Sequence, residues 1–277
     1  MLLVKYTVTE QFLPTLLLIG LLTWILPGQI LIHSRLKGAP SIMLWAWERP
    51  EDISSFSDSD NVGVAFLAAT INISSINVNV HRRHQPLLYA PHHYLMPVVR
   101  IETDRKNPPI FSDDQVNLLV AQIMQIAPDP NSHGLQIDFD ATKGQRDSYK
   151  RLLTKLRKSL PLEMPLSITA IASWCAGDYW LNDLPVDEVV PMYFDMGVSE
   201  SVRWQYYQYI SDNAQLIGTT KCKCNSALGL STSEAVPLKA SQYRNKRVYF
   251  FSTHPWQGLS NQKRNEISKI LKYAEAS

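Results

Sequence analysis

The stretch Gly134-Leu135-Gln136-Ile137-Asp138-Phe139-Asp140 alternates strictly between polar and apolar residues, so as a β-strand it sets Gln136, Asp138 and Asp140 on one face. Leu135, Ile137 and Phe139 then face the other way. Two carboxylates two positions apart on an inward face disturb each other's ionisation, which leaves one of them protonated near neutrality as a general acid and the other as its tuning partner. The plainer alternative is an interior held together by hydrogen-bonded acids and a neighbouring arginine, since unpaired buried acids are costly. Arg100-Ile101-Glu102 supplies a second pair of charges sharing one strand face, within reach of Asp138 or Asp140 if the two strands are neighbours. The candidate catalytic residues are Asp138, Asp140 and Glu102, and a structural ion-pair network suits Arg100 and Glu102 equally well.

Aromatic residues gather at the ends of the other candidate strands. Trp45 and Trp47 lie beside Glu48, Trp174 follows a strand, Tyr193 precedes Asp195, and Trp256 comes just after His254. Flat aromatic faces suit the apolar faces of sugar rings and carboxylates suit their hydroxyls, so the ligand class expected is a carbohydrate. The candidate binding residues are Trp45, Trp47, Glu48, Arg100, Trp174, Tyr193, Asp195 and Trp256, although for any single tryptophan core packing is an equal alternative. No metal site is expected. His92, His93 and His254 lack ligand spacing, and Cys222-Lys223-Cys224 is too tightly spaced for a zinc knuckle. The plain reading of Cys175, Cys222 and Cys224 is three unpaired thiols, because a link between Cys222 and Cys224 would close a strained ring. Neither a glycine-rich dinucleotide turn nor a phosphate loop occurs, so no cofactor is expected.

Eight short apolar runs would carry these residues: Ile42 to Trp47, Val62 to Ile71, Met96 to Glu102, Gly134 to Asp140, Leu166 to Ser173, Val189 to Phe194, Ala227 to Leu230 and Val248 to Ser252. Helical periodicity fills the intervals at Asp113 to Ala127, Arg146 to Leu160 and Ser201 to Ile217, and a last helix spans Asn261 to Ala274. Eight strands alternating with helices predict a TIM-like (β/α)8 barrel of the α/β class, whose chemistry belongs at the carboxyl ends of the strands. Ile73 to Pro91 reads as a hairpin or irregular excursion, and its basic run His81 to His84 as a solvated loop.

The 277 residues, 45% hydrophobic and 19% charged, suffice for one large domain and a short appendage. A net charge of +2, evenly spread, gives no nucleic-acid-binding surface. The run Phe12 to Ile32 contains no charged side chain and is long enough to span a bilayer as a helix, and no small-residue cleavage site follows it. It predicts an N-terminal signal or anchor over residues 1–37, a barrel domain over 38–277, and a protein anchored in or exported across a bacterial membrane, facing the periplasm or the cell exterior. Oligomeric state is not legible.

The segment Gly134 to Asp140 resembles the fourth-strand signature of glycoside hydrolase family 18, in which glycine precedes three alternating acids and the last, a glutamate, protonates the leaving sugar. The resemblance gives Asp140 the proton donor's place and Asp138 that of the middle acid, which supports the substrate's acetamido group. Gln136 stands where the family has its first acid, and Asp140 is one methylene shorter than glutamate. Met192-Tyr193 with Asp195 is similar to the family's sugar-holding sixth-strand pattern, with Phe194 inserted. A closer likeness covers nearly the whole domain. Trp45 to Asp52, Gly63 to Leu67, Val99 to Glu102, Gly134 to Ala141, Ala172 to Cys175, Val189 to Met192 and Met196-Gly197 resemble the bacterial domain-of-unknown-function family 3142. That likeness implies a glycosidase-like barrel of the bacterial envelope, acting on a polysaccharide or oligosaccharide or binding one without cutting it.

Overall fold

Apolar runs buried on both faces favour parallel strands under helices, and each of the eight runs forms such a strand. The computed structural model describes residues 35–56, 61–127, 131–175, 179–199, 201–208, 223–234 and 238–276. The strands are β1 (Ile42–Ala46), β2 (Val62–Ser74), β3 (Tyr94–Thr103), β4 (Leu135–Asp138), β5 (Leu166–Ile171), β6 (Glu188–Met192), β7 (Ala227–Ser231) and β8 (Arg247–Phe251). Each is parallel to the next and β8 returns to β1, which closes a TIM-like barrel.

The helices are α1 (Asp113–Met124), α2 (Arg146–Ser159), the single turn α3 (Ala240–Tyr243) and α4 (Asn261–Glu275). Residues 201–208 are also helical. The expected continuation of that helix to Ile217 lies outside the described residues. Among the described residues no α-helix follows β1 or β2. The excursion after β2 is instead a strand, Asn77–Arg82, folded back antiparallel on the second half of β2. In the basic run at its end His81, Arg82 and His84 are exposed, as expected, whereas the Arg83 guanidinium donates to the carbonyls of Trp47, Arg49 and Gln85 and so braces the turn that leaves β1.

A one-residue slip in β2 explains how a 13-residue strand serves two cores. Its pairing with β3 shifts between Leu67 and Ala69. Ahead of the bulge, Ala65 and Leu67 pack inside the barrel with Met43, Trp45, Met96 and Val98. Beyond it the parity is reversed, and Ala69, Ile71 and Ile73 pack outward with Val116, Leu119 and Ile123 of α1. Between β6 and β7 the strands approach so closely that a Cβ on Gly229 would stand 3.0 Å from the Pro191 carbonyl oxygen, a place only glycine fills without displacing backbone.

The barrel interior is partly polar, and its polar groups satisfy one another. Trp45 Nε1 donates to Gln136 Oε1 at 2.9 Å, Gln136 Nε2 to Ser167 Oγ at 3.0 Å, and Ser167 Oγ to Glu188 Oε2 at 3.0 Å. Tyr249 donates to the same Glu188 oxygen at 2.6 Å, and Arg247 pairs with the other. Gln136, which takes the place of an acid in the strand-four signature, thus works here as a bridge between an indole and a hydroxyl. At the amino ends of the strands Arg35 and Arg157 hold the buried Asp187 at 2.7 and 3.3 Å.

Cys175 and Cys224 form a disulfide, with Cα atoms 5.9 Å apart across 49 residues of sequence. This corrects the expectation of unpaired thiols. The connection leaving β5 packs through Trp174 and Leu181 against the segment entering β7, which brings together two cysteines whose spacing gives no hint of pairing. Opening the loop by Cys224→Ser is expected to lower stability by about 4 kcal/mol, from the chain entropy of a loop of this length. Denaturant unfolding with and without reductant measures it, and an unchanged midpoint in the variant would contradict the link.

The apolar segment Phe12 to Ile32 lies outside the described residues. Among those described, no helix is long and apolar enough to cross a membrane.

Candidate functional site at the barrel mouth

The carboxyl ends of the strands surround a cavity of about 490 Å³, a size usual for small-ligand sites. Strand alternation decides who reaches it. Trp47, just past β1, Arg100 on β3, Asp138 and Asp140 at the end of β4, and Asp195 after β6 all line it. The two acids of the strand-four signature therefore share one cavity with an arginine, a tryptophan and a third carboxylate.

Asp138 is buried, and both of its oxygens are engaged. Arg100 Nη1 donates to Oδ2 at 3.0 Å and Thr169 Oγ1 to Oδ1 at 2.6 Å. Burial pushes this carboxyl above the ordinary range although Arg100 and Thr169 pull it down, and Asp140 adds to the upward push. Burial also works against the Arg100 cation, but Asp138, Glu102 and Asp140 outweigh it and hold the guanidinium above its ordinary value. Arg100 Nε donates to Glu102 at 2.9 Å, and the guanidinium carbon lies 6.0 Å from the centre of the Trp47 ring. Asp140 stands exposed at the rim. Asp195 is exposed too, in the left-handed backbone region at φ 46°, where its amide donates to Glu234. Among the described residues neither the Asp140 nor the Asp195 side chain makes a hydrogen bond or ion pair.

The remaining sequence candidates lie elsewhere. Trp45 is fully buried one layer below the mouth, stacked on Phe251 at 5.1 Å and edge-on to Trp47 at 4.3 Å. Glu48 turns away from the cavity and accepts the amides of His84 and Gln85. Glu102 is exposed and reaches the site only through Arg100. Trp174 packs in the outer core against Trp180, and Trp256 is buried outside the barrel with its indole donating to the Trp45 carbonyl. Tyr193 points outward toward Tyr207.

What the sequence reading passed over is the apolar half of the cavity: Ile171, Met192, Phe194, Met196, Val198 and Phe251. Alternation held a usable signal for it. Glu188 and Val190 face inward on β6, so Met192 and Phe194 must, which sends Tyr193 out. Among the described residues no three His, Cys, Asp or Glu side chains are grouped to hold a metal ion.

No family model matches the sequence, and no curated protein matches it either. Solved structures do match in fold. A protein named chitinase A from Streptomyces coelicolor superposes with TM-score 0.57 at 11% identity, covering 84% of this chain and 99% of that one. A fungal endo-β-N-acetylglucosaminidase of glycosyl hydrolase family 18 gives TM-score 0.50 at 12% identity over 84% of this chain and 98% of that one. The spore cortex-lytic enzyme SleL of Bacillus cereus gives TM-score 0.41 at 18% identity over 69% of this chain, which spans 50% of that longer protein. At such identities the likeness is one of architecture, and the chain has the barrel fold of the first two of these proteins.

Proposed function

We propose that this chain is a glycoside-hydrolase-like protein that takes a polysaccharide or oligosaccharide into the cavity at the barrel mouth, with Asp140 as general acid. The observation that carries this reading is the convergence of Asp138, Asp140, Arg100, Trp47 and Asp195, from four different strand ends, on one ligand-sized cavity. Asp140 gives its proton to the leaving oxygen from the open rim as the bond from that oxygen to the anomeric carbon breaks, and water then adds its hydroxyl to that carbon and returns a proton to Asp140. Asp138, fixed by Arg100 and Thr169, orients the substrate and sets the field around Asp140. Trp47 offers a ring face for stacking. The architecture shared with a family 18 enzyme supports this reading, and so does the resemblance of the sequence to the bacterial domain-of-unknown-function family 3142, of which we propose the chain is a distant member.

A second reading, a protein that binds glycan without cutting it, draws on the same geometry. Both oxygens of Asp138 are taken up by protein donors, and the acid at position 140 is the shorter aspartate. Incubation with envelope and extracellular polysaccharides, reading released reducing ends beside calorimetric binding, separates the two. Release supports the hydrolase, binding without release supports the second reading, and neither outcome with any glycan ends both. In either case Trp47→Ala is expected to weaken oligosaccharide binding by about tenfold through the lost stacking face. Unchanged affinity would remove Trp47 from the site.

The same proposal places the barrel outside the cytoplasm, with residues 1–37 as signal or anchor and 38–277 as the barrel domain. The Cys175–Cys224 disulfide supports export, because such links persist in oxidising compartments. Arg35 bonds to Leu162 and Asp187 at the amino ends of the strands. Arg35, the first described residue, thus lies at the end of the barrel opposite the cavity.

A further inference from the structure

The charges of the mouth do not balance. Among the described lining residues there are three carboxylates, those of Asp138, Asp140 and Asp195, against one guanidinium, that of Arg100, which is itself committed to Asp138 and to a fourth acid, Glu102. Arg203, a further cation on the element that follows Asp195, is paired with Glu234 at 2.7 Å. Hydrogen-bonding capacity is just as one-sided. Apart from Arg100 the side-chain donors of the described lining are the Trp47 indole and the hydroxyls of Ser173 and Tyr206, while the free acceptors are the carboxylates of Asp140 and Asp195. A ligand with an anionic group, or with a carbonyl requiring several donors, finds little to meet it here. The rest of the wall also favours a cation. Trp47 and Phe194 present partly exposed aromatic rings to it.

Resting on the reading of the cavity as a glycan site, we propose that its ligand is a cationic glycan: a chain containing amino sugars with free ammonium groups rather than N-acylated ones. The ammonium, with three donors and one positive charge, sits at Asp195, whose carboxylate is free of protein partners among the described residues. The ring's apolar face lies on Trp47, and Asp140 remains at the glycosidic oxygen.

The test titrates the full chain with three oligomers of the same length: glucosamine, N-acetylglucosamine and glucose. The glucosamine oligomer is expected to bind about tenfold more tightly than the other two, the effect of one charge-assisted hydrogen bond. That preference should shrink in about 1 M NaCl, where the screening length is about 3 Å. It should also shrink in Asp195→Asn, which keeps the side-chain shape and suits a left-handed backbone. Equal or tighter binding of the acetylated or neutral oligomer overturns the proposal while leaving the glycan reading intact. Binding of none of the three overturns it as well, and the glycan reading then falls only if the polysaccharides also fail to bind. A preference unaltered in Asp195→Asn overturns the assignment of the ammonium to that carboxylate.

Discussion

Asp140→Asn is expected to reduce glycan turnover by about 10²- to 10⁴-fold, the range that a positioned general acid contributes, while leaving stability within about 0.5 kcal/mol of the parent. The side chain is exposed and bonded to no protein group among the described residues, so the amide replaces it without opening a cavity or stranding a partner. Because asparagine has no proton to lose or accept near neutrality, the loss should fall on kcat rather than on substrate affinity. Parallel thermal melts and rates of reducing-end release measure it. Unaltered turnover in a folded variant would take Asp140 out of the mechanism. Substrate leaving groups that need no protonation, such as an activated aryl glycoside, should be cleaved by the variant with a smaller deficit, a result that merely structural damage would not produce.

Arg100→Met should show the largest effect on stability among the charged residues that line the cavity. It leaves the buried Asp138 with Thr169 as its remaining donor, and breaking a fully buried pair costs about 3–5 kcal/mol. Arg100 is itself 32% exposed at the side chain, so solvent weakens the pair and about 2–3 kcal/mol is the expected loss. The pH dependence carries a definite sign. The Asp138 carboxyl already lies above its ordinary value in the folded state, and loss of the guanidinium raises it further. A group raised on folding contributes stability that is fully present below its unfolded pKa and is lost as pH rises through the folded one. The variant should therefore approach the parent at acid pH and fall away from it toward neutrality. Asp138→Asn introduced into Arg100→Met removes the stranded charge and should restore part of the loss. Denaturant unfolding of the four proteins across pH measures the coupling. A deficit that is the same at every pH would show that the arginine contributes by packing alone.

These effects concern residues whose chemistry was visible before their positions were. The strict alternation through Gly134 to Asp140 put Asp138 and Asp140 on one face, and the Arg100 and Glu102 pair was legible in the same manner. Which partner Arg100 selects was not. It holds Asp138 and Glu102 together, because β3 and β4 run in register with Arg100 opposite Asp138.

The tryptophans lie beyond what strand alternation fixes. Trp45 and Trp47 share a parity, so alternation assigns both to the interior, but it says nothing of height along the axis. That height is set by the stagger of closed strands, which puts Trp45 in the packed layer beneath and Trp47 at the opening. Trp174 and Trp256 follow strands that have already ended, and where a chain turns after a strand no periodicity governs the direction of its side chains.

By itself the sequence determined eight strands and their order, since runs buried on both faces and separated by helical periodicity admit few other architectures. It also put Asp138 and Asp140 on one strand face. Only the tertiary structure decided that β2 reverses its parity at a bulge, that Cys175 meets Cys224 across 49 residues, and that half of the cavity wall is methionine, phenylalanine and aliphatic side chains. Each of these depends on contacts between segments distant in the chain. Local patterning fixes which face a residue presents, and barrel closure alone fixes what that face meets.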